Sequence, residues 1–321
     1  ATYNSGSPNA ALVFRYTVVE DQTNSADLSV SSYSGTIKDA AGNTAGAASG
    51  DLGAVIVDAN SPDFSSVAAV DGTYFVGNTI AITVTYGEAV VGTGSALTLS
   101  NGATATYTSG SGTTDMVYTY TVAEDQTNSA DLSVSAYTGT LTDVATNAAE
   151  AASGDLGAVI VDANSPDFSS VAAVDGTYFV GNTIAITVTY GEAVVGTGSA
   201  LTLSNGATAT YTSGSGTTDM VYTYTVAEGD TASADLSVSA YTGTLTDAAG
   251  NAAGAASGDL GAVIIDGDAP DFVSVAAADG SYKSGTNIDI TVTWDEAVTV
   301  TGIPTLTLSN GATATYNSGS P

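Results

Sequence analysis

One short stretch of this sequence gathers oxygen-bearing side chains around a proline, and it occurs three times. Residues 57–64 are Val-Asp-Ala-Asn-Ser-Pro-Asp-Phe, residues 161–168 repeat them unchanged, and residues 265–272 repeat them in altered form. Carboxylate and amide oxygens are the ligands that Ca²⁺ prefers, about six to eight at a time, whereas Mg²⁺ requires a stricter octahedron. We therefore expect each stretch to be an inter-domain joint that binds Ca²⁺. The alternative is a stiff linker whose polar residues only end a strand and form a turn.

The joints divide the chain into copies of one unit. The segment that begins at Asp51 recurs from Asp155 and from Asp259, a spacing of 104 residues, and a fixed period of this kind indicates a repeat architecture. Residues 1–8 are identical to residues 314–321. Two interpretations fit: a window of a longer tandem array, or subunits whose half-repeats complete one another. The predicted segments are the C-terminal half of a repeat at 1–58, complete repeats at 59–162 and 163–266, and the N-terminal half of a repeat at 267–321.

Within each copy, apolar and polar residues alternate with a period of two, which is the signature of half-buried strands. No segment carries a sustained helical period, so we expect no helix. A series of about seven short strands in roughly 100 residues is typical of an immunoglobulin-like fold. We predict an all-β protein of tandem immunoglobulin-like β-sandwich domains in a linear array, with Ile80, Ile82, Val84, Leu132 and Val134 in the core. The predicted strands of the first complete repeat are 64–70, 79–86, 96–100, 103–108, 116–123, 130–134 with 138–142, and 157–161.

The strand order predicts which acidic side chains meet. If the first strand runs away from the preceding joint, alternate loops return to that joint and the others reach the next one. Each joint then collects oxygen ligands from three pieces of chain. The candidate metal ligands around the first joint are Glu20, Asp21, Asp58, Asn60, Asp63, Glu88, Asp143 and Asn147. Those around the second are Asp71, Glu124, Asp125, Asp162, Asn164, Asp167, Glu192, Asp247 and Asn251. Those around the third are Asp175, Glu228, Asp230, Asp266, Asp268, Asp271, Asp295 and Glu296.

The charge balance is strongly acidic, because 33 Asp and Glu stand against three Lys and Arg, giving a formal charge of −30. Such a surface repels nucleic acid and anionic membranes, so we expect neither as a partner. No apolar run approaches the ~20 residues of a membrane helix, and we expect no membrane insertion. The sequence has no His and no Cys, which removes the commonest general base and the thiol nucleophile. We expect no catalytic residue and no enzymatic activity.

These motifs resemble two known families. The Asp-Ala-Asn-Ser-Pro-Asp-Phe joint resembles the calcium-binding linker of cadherins, Asp-x-Asn-Asp-Asn-x-Pro-x-Phe, although the second Asp-Asn pair is missing here. The runs Thr85-Tyr-Gly-Glu-Ala-Val, Tyr120-Thr-Val-Ala-Glu and Asp247-Ala-Ala-Gly-Asn are similar to landmarks of the bacterial immunoglobulin-like tandem repeats of giant secreted adhesins, the RTX-adhesin-like extender domains. This resemblance covers the whole chain. It implies an extender at the cell surface or in an extracellular biofilm fibre, whose partners are further copies of the repeat in cis and possibly other chains.

The function expected from these observations is mechanical. Tandem sandwiches would form a long extracellular fibre or adhesin stalk, in which Ca²⁺ at each joint fixes the inter-domain angle. Two alternatives stay open: a self-assembling filament subunit joined by strand complementation between half-repeats, and a lectin-like module that binds carbohydrate or a surface. The differences between the two complete copies cluster in two loops near the joints, which favours spacing over recognition.

Overall fold

The chain folds from strands alone. The computed structural model describes residues 1–320, and within that range it contains no helix. The predicted all-β fold is thus confirmed, as the abundance of Val, Ile, Thr and Tyr at alternating positions favours. The residues form two compact units, one made of residues 1–165 with 249–251 and the other of residues 166–248 with those from 252 onward.

The first unit begins with four short strands and continues with a complete repeat of nine. The first four are β1 (Thr2–Ser5), β2 (Val13–Arg15), β3 (Ser29–Val30) and β4 (Gly50–Asp51), which pair as β1 with β2 and β3 with β4. The repeat contains β5 (Phe64–Ala68), β6 (Gly72–Phe75), β7 (Thr79–Val90), β8 (Ala96–Leu99), β9 (Thr104–Ser109), β10 (Thr113–Thr121), β11 (Ser133–Thr138), β12 (Gly154–Asp155) and β13 (Val159–Asp162).

Seven strands of this repeat form one antiparallel sheet in the order β12-β11-β8-β9-β10-β7-β5. The two edge strands, β5 and β12, also contact each other, so the sheet curls into a near-barrel around a single core. One backbone hydrogen bond spans this closure, from the N–H of Ala69 to the carbonyl oxygen of Leu156 (3.2 Å). The remaining strands, β6 and β13, form a separate parallel pair, with Val159 opposite Gly72 and Asp162 opposite Phe75.

The second unit repeats this architecture and ends with four further strands. Its complete repeat contains β14 (Phe168–Ala172), β15 (Gly176–Phe179), β16 (Thr183–Val194), β17 (Ala200–Leu203), β18 (Thr208–Ser213), β19 (Thr217–Thr225), β20 (Ser237–Thr242), β21 (Gly258–Asp259) and β22 (Val263–Asp266). The order is β14-β16-β19-β18-β17-β20-β21, and β15 pairs with β22. The last strands are β23 (Phe272–Ala277), β24 (Ile290–Trp294), β25 (Thr305–Thr307) and β26 (Thr313–Thr315), which pair as β23 with β24 and β25 with β26.

The core of each complete repeat is built from the inward positions of the alternating pattern. All five residues predicted for the first core are buried, and Ile80, Ile82 and Val84 are fully so. Tyr118 and Tyr120 lie opposite Ile82 and Ile80 on the neighbouring strand β10 and are buried as well. Burial of one such aliphatic side chain contributes about 1.5–3 kcal/mol, so the sequence pattern and the core energetics agree.

The sequence pattern did not predict β6 and β12, and several strand boundaries differ from the prediction, two of them at bulges. Strand β7 does not end at Tyr86 but continues to Val90, and its pairing with β10 jumps from Thr85 opposite Asp115 to Val90 opposite Thr113. Strand β11 runs through residues 133–138, where the sequence suggested a break, with a register shift after Val134. A bulge adds residues to one strand and resets the alternation, so a strict period of two stops short of it.

The segments 1–58 and 267–320 lack the packing of the complete repeats. Their strands form isolated two-stranded pairs, and large apolar side chains on both segments are exposed, including Phe14, Leu52, Trp294 and Leu306. Two-stranded pairs alone are marginally stable in water. These segments therefore expose apolar faces whose equivalents are buried in the complete repeats.

Candidate metal centre at the first joint

The linker of the first joint is held by side chains from the segment that precedes it. The Glu20 carboxylate accepts hydrogen bonds from the backbone N–H of Ser61 (2.7 Å) and from its hydroxyl (3.0 Å). The Asn24 amide donates to Asp58 Oδ1 (2.7 Å), and its Oδ1 accepts from the N–H of Ala59 (2.7 Å). These bonds fix the course of the linker, so the Asp58 carboxylate has a defined position.

A loop of the following repeat meets the same linker. Asp143 is buried, and its carboxylate accepts from the backbone N–H (2.9 Å) and the side-chain amide (2.7 Å) of Asn147. The Asn147 amide also donates to the carbonyl oxygens of Asp58 (3.2 Å) and Asn60 (3.1 Å). A buried carboxylate requires such donors to offset its desolvation. The Asp143–Asn147 loop therefore joins the repeat to the linker.

Three carboxylates converge at this point. One ligand oxygen each of Asp58, Glu88 and Asp143 lies within 4.8 Å of the other two. Glu88 belongs to the bulge near the end of β7, between Thr85 and Val90, where the pairing with β10 is interrupted. Carboxylate oxygens are the donors that a hard cation such as Ca²⁺ prefers, so the donor set fits such an ion. The structure thus brings together the three acids that the strand order predicted for this joint.

The convergence has an electrostatic cost. The pKa of Glu88 is raised by desolvation and by the carboxylates of Asp58, Asp143, Asp63 and Glu20. Like charges that share a site favour the protonated acid. A bound divalent cation would remove this repulsion, which is the physical reason for linking the cluster to a metal.

This raised pKa predicts a pH dependence for the cation-free protein. An acid with a raised folded-state pKa contributes stability that is fully present below its ordinary value of 4.5 and is lost as the pH rises through the folded value. In the presence of a chelator, we expect Glu88→Gln to raise the melting temperature of the first unit at pH 7, with the gain over wild type vanishing at pH 4.5 and below. Calorimetry across this range measures the difference between the two proteins. A gain that is independent of pH would contradict the assignment.

The linker contacts recur at the second joint. The Glu124 carboxylate accepts from the N–H and hydroxyl of Ser165 (both 2.7 Å), as Glu20 does from Ser61. Asn128 donates to Asp162 Oδ1 (2.9 Å), and the Asn251 amide donates to the Asp162 carbonyl oxygen (3.2 Å). Asp162 and Asn164 belong to the first unit, while Asp167, Glu192 and the buried Asp247 belong to the second.

The third joint lies in the second unit and carries altered residues. Ala269 stands where Ser61 and Ser165 occur, and its N–H donates to Glu228 (3.1 Å). Asp295 stands where Gly87 occurs, and its carboxylate accepts from the N–H of Asp271 (2.8 Å). The pKa of Glu296 is raised by desolvation and by the carboxylates of Asp266, Asp295, Asp268 and Glu228. The same type of acidic crowding therefore occurs here.

Other predicted ligands lie near a linker but use their backbone. The N–H of Asp21 donates to Ala59 O (3.1 Å) and that of Asp125 to Ala163 O (3.0 Å), both with φ of 63°. Gly229 replaces Asp125 in the next copy and donates to Gly267 O (2.9 Å). Left-handed backbone is disfavoured for residues with a side chain, so glycine relieves strain at that position. Asp63 and Asp167 accept through their carbonyl oxygens from Gly87 and Gly191, respectively (both 2.9 Å).

Three predicted ligands bond through their carboxylates within their own repeat. Asp71 Oδ1 accepts from the N–H of Ala158 (2.9 Å), at the start of the parallel pair rather than at the joint, and Asp175 accepts from Ala262 in the same way (2.9 Å). Asp230 accepts from the Tyr224 hydroxyl and the Ala227 N–H (both 2.8 Å). Gln126 makes the equivalent bonds in the preceding copy. The carboxylates of Asp71, Asp175 and Asp230 thus bond within their own repeat, although the backbone of Asp230 lies against Gly267 of the third linker.

Sequence reasoning missed several residues that hold the linker. Asn24 and Asn128 bind the aspartates of their joints, and Glu150 accepts from the N–H of Phe64 (3.0 Å). The signal available for Asn24 was its position 34 residues before Asp58, repeated by Asn128 before Asp162. In the next copy Ala232 stands where this asparagine would be, so the spacing does not recur in every repeat.

Comparison with known proteins adds no assignment, since no protein-family model and no curated protein matches this chain. In the part of the chain that the structure describes, no helix is long and apolar enough to cross a membrane.

Proposed function

We propose that this chain is a structural extender of a long extracellular fibre or adhesin stalk, stiffened by Ca²⁺ at the joints between its repeats. The observation that carries this proposal is the convergence of Asp58, Glu88 and Asp143 on a linker that both adjoining segments hold by hydrogen bonds. The tandem repeat and its resemblance to adhesin extender domains support the extracellular role.

The residues at the first joint would have different roles. Asp58, Glu88 and Asp143 would hold the ion, and Ca²⁺ supplies the positive charge that offsets their mutual repulsion. Asn147 orients the Asp143 carboxylate and binds the linker backbone. Glu20 binds Ser61 and keeps the preceding segment against the linker. Because the ligands come from the linker and from the repeat that follows it, ion binding would hold the linker against that repeat and restrict bending at the joint.

Calcium titration tests this proposal. We expect the wild-type chain to bind Ca²⁺ with Kd of about 10⁻⁴ to 10⁻³ M, the range of extracellular calcium modules. The triple variant Glu88→Gln, Glu192→Gln and Glu296→Gln should bind at least about 10-fold more weakly, since each joint loses a carboxylate with which Ca²⁺ is paired. Isothermal titration calorimetry with CaCl₂ measures both the affinity and the stoichiometry.

A matched control separates specific ligation from general charge. The triple variant Asp27→Asn, Asp131→Asn and Asp235→Asn removes the same three charges from exposed positions of the repeat and should bind Ca²⁺ as wild type does. If both triple variants weakened Ca²⁺ binding equally, the effect would depend on net charge alone and not on ligation by these side chains. Small-angle scattering that gives the same chain length with Ca²⁺ and with a chelator would rule out the stiffening role.

A further inference from the structure

Each complete repeat encloses a small group of hydroxyl groups in its core. The Ser95 and Tyr118 hydroxyls form a hydrogen bond with each other (2.8 Å), and both side chains are buried. Ser199 and Tyr222 repeat this bond in the second complete repeat (2.7 Å). A hydroxyl can donate one hydrogen bond and accept two, so this single bond leaves each pair with further hydrogen-bonding capacity inside an otherwise apolar core.

Two more tyrosines of the first complete repeat direct their hydroxyl groups inward. Tyr86 is 2% exposed and Tyr137 is half-buried, yet the hydroxyl oxygen of each is buried. Within residues 1–320 neither oxygen has a hydrogen-bond partner, and the same holds for Tyr190 and Tyr241 of the second complete repeat. Burial of a hydroxyl without a partner costs free energy, and most buried polar atoms bond to protein or to ordered water. These hydroxyls therefore require a partner.

The near-barrel directs these hydroxyls into one core. Tyr86 lies on β7, Tyr118 on β10 and Tyr137 on β11. Tyr86 and Tyr118 belong to the same buried cluster, and Tyr137 packs against it. Ser95 comes just before β8, which pairs with β11. The chain after Tyr137 lies tightly against Ser95, because a Cβ on Gly139 would be 2.7 Å from the Ser95 Cα. Four parts of the chain thus contribute to a single group of hydroxyls.

The electrostatics of these groups agree with their proximity. The pKa of Tyr86 is raised above its ordinary value of 10.0 by burial and further by Tyr137 and Tyr118. Burial raises the pKa of Tyr137 to about 12, and the nearby Ser95 hydroxyl partly offsets this rise, although its hydrogen bond is to Tyr118. Both phenols are therefore neutral at pH 7, so each can donate and accept a hydrogen bond. These properties suit a small, neutral, hydrogen-bonding ligand.

We propose that each complete repeat binds one water molecule in its core, held by the two unpartnered tyrosine hydroxyls and by the bonded serine–tyrosine pair. A buried water typically makes about three hydrogen bonds, and in the first complete repeat Tyr86, Tyr137 and Ser95 supply the partners. Because β7 and β11 are not neighbours in the sheet, the water links strands that no backbone ladder joins. The site shares no residue with the carboxylate cluster at the first joint.

Removing one hydroxyl tests the bonding. Tyr86→Phe keeps the ring and deletes only the hydroxyl group. If that hydroxyl binds the water, the variant loses a hydrogen bond, and the melting temperature of the first complete repeat should fall by about 4–8 °C. A hydroxyl without any partner would give the opposite sign, because its removal relieves a desolvation cost. Calorimetry with a chelator measures the shift, and the second complete repeat, which keeps Tyr190, provides the unshifted transition.

Counting bound water tests the ligand itself. Magnetic relaxation dispersion of the solvent signal measures the number of long-lived waters per chain. The double variant Tyr86→Phe, Tyr137→Phe should hold one fewer than wild type, since both hydroxyls that require the water are gone. Tyr120→Phe is the matched control, because the Tyr120 hydroxyl is bonded within the protein to Gln126 (2.7 Å) and Asn101 (3.1 Å). This control should lower the melting temperature but leave the number of long-lived waters unchanged.

Three outcomes would overturn the proposal. A higher melting temperature for Tyr86→Phe would show that its hydroxyl has no partner. An unchanged number of long-lived waters in the double variant would show that the two hydroxyls bond to protein groups and not to a water. An equal loss of water in Tyr120→Phe would show that the count reports a general loosening of the core and not this site.

Discussion

Replacing Leu97 by alanine is expected to destabilise the first complete repeat by about 2–5 kcal/mol, the range for removing a buried leucine and leaving a cavity. Leu97, on β8, is fully buried in the core of this repeat. The second repeat carries the same residue as Leu201 and is unchanged in this variant. Thermal unfolding should therefore split, with one transition shifted downward and another near its wild-type temperature.

Leu306 provides the matched control, because it occupies the same position in the C-terminal half-repeat but is 38% exposed. Because Leu306 is already partly exposed to solvent, Leu306→Ala removes less buried apolar surface. We expect the free energy of unfolding to fall by less than about 1 kcal/mol in dilute solution. Comparable losses for Leu97→Ala and Leu306→Ala would show that the half-repeat is packed as tightly as the complete one.

Gly110→Ala is expected to destabilise the same repeat by about 3 kcal/mol or more. Gly110 has φ of 108°, and a Cβ built on it would overlap the backbone oxygen of Asp115. The strained backbone alone costs about 1–3 kcal/mol, and relief of the overlap requires the β9–β10 turn to move. Calorimetry should again show one shifted transition, with the second repeat and its Gly214 unaffected.

Gly94→Ala is the control for this substitution. A Cβ at Gly94 meets no atom within 4 Å, and the backbone there is outside the left-handed region. Replacing glycine where alanine fits reduces the entropy of the unfolded chain, so we expect a change of no more than about 1 kcal/mol, in the stabilising direction. If Gly94→Ala proved as harmful as Gly110→Ala, the β9–β10 turn geometry would not be the cause.

The sequence was sufficient for the strands and the core where the alternation is regular. Ile80, Ile82 and Val84 are spaced by two, and each is buried. It was also sufficient for the meeting of Asp58, Glu88 and Asp143, because antiparallel order decides which loops share an end of the domain. The two complete repeats provided this order twice.

Pattern reasoning failed where a local irregularity or a specific contact decides the outcome. Asp71 was expected at the second joint, but β6 pairs in parallel with β13, which holds Asp71 next to Ala158. Four residues of β6 carry no periodic signal for such a pairing. Asp230 has the charge of a metal ligand, yet its position beside Tyr224 makes it a substitute for Gln126. The charge of a side chain alone does not determine which group it bonds to.

The parallel pairing of β6 with β13 has a consequence for a protein under tension. Pulling along the chain would transmit force out of a repeat through β13, whose last residue, Asp162, begins the next linker. The hydrogen bonds of a parallel pair are evenly spaced along the strands, and here they join four residue pairs, from Val159 opposite Gly72 to Asp162 opposite Phe75. A pull along the strands would load these bonds in shear, so that they share the force instead of opening one after another as in a peeled hairpin. The parallel pair would thus hold the last strand of each complete repeat by four residue pairs, at the point where the chain passes into the next linker.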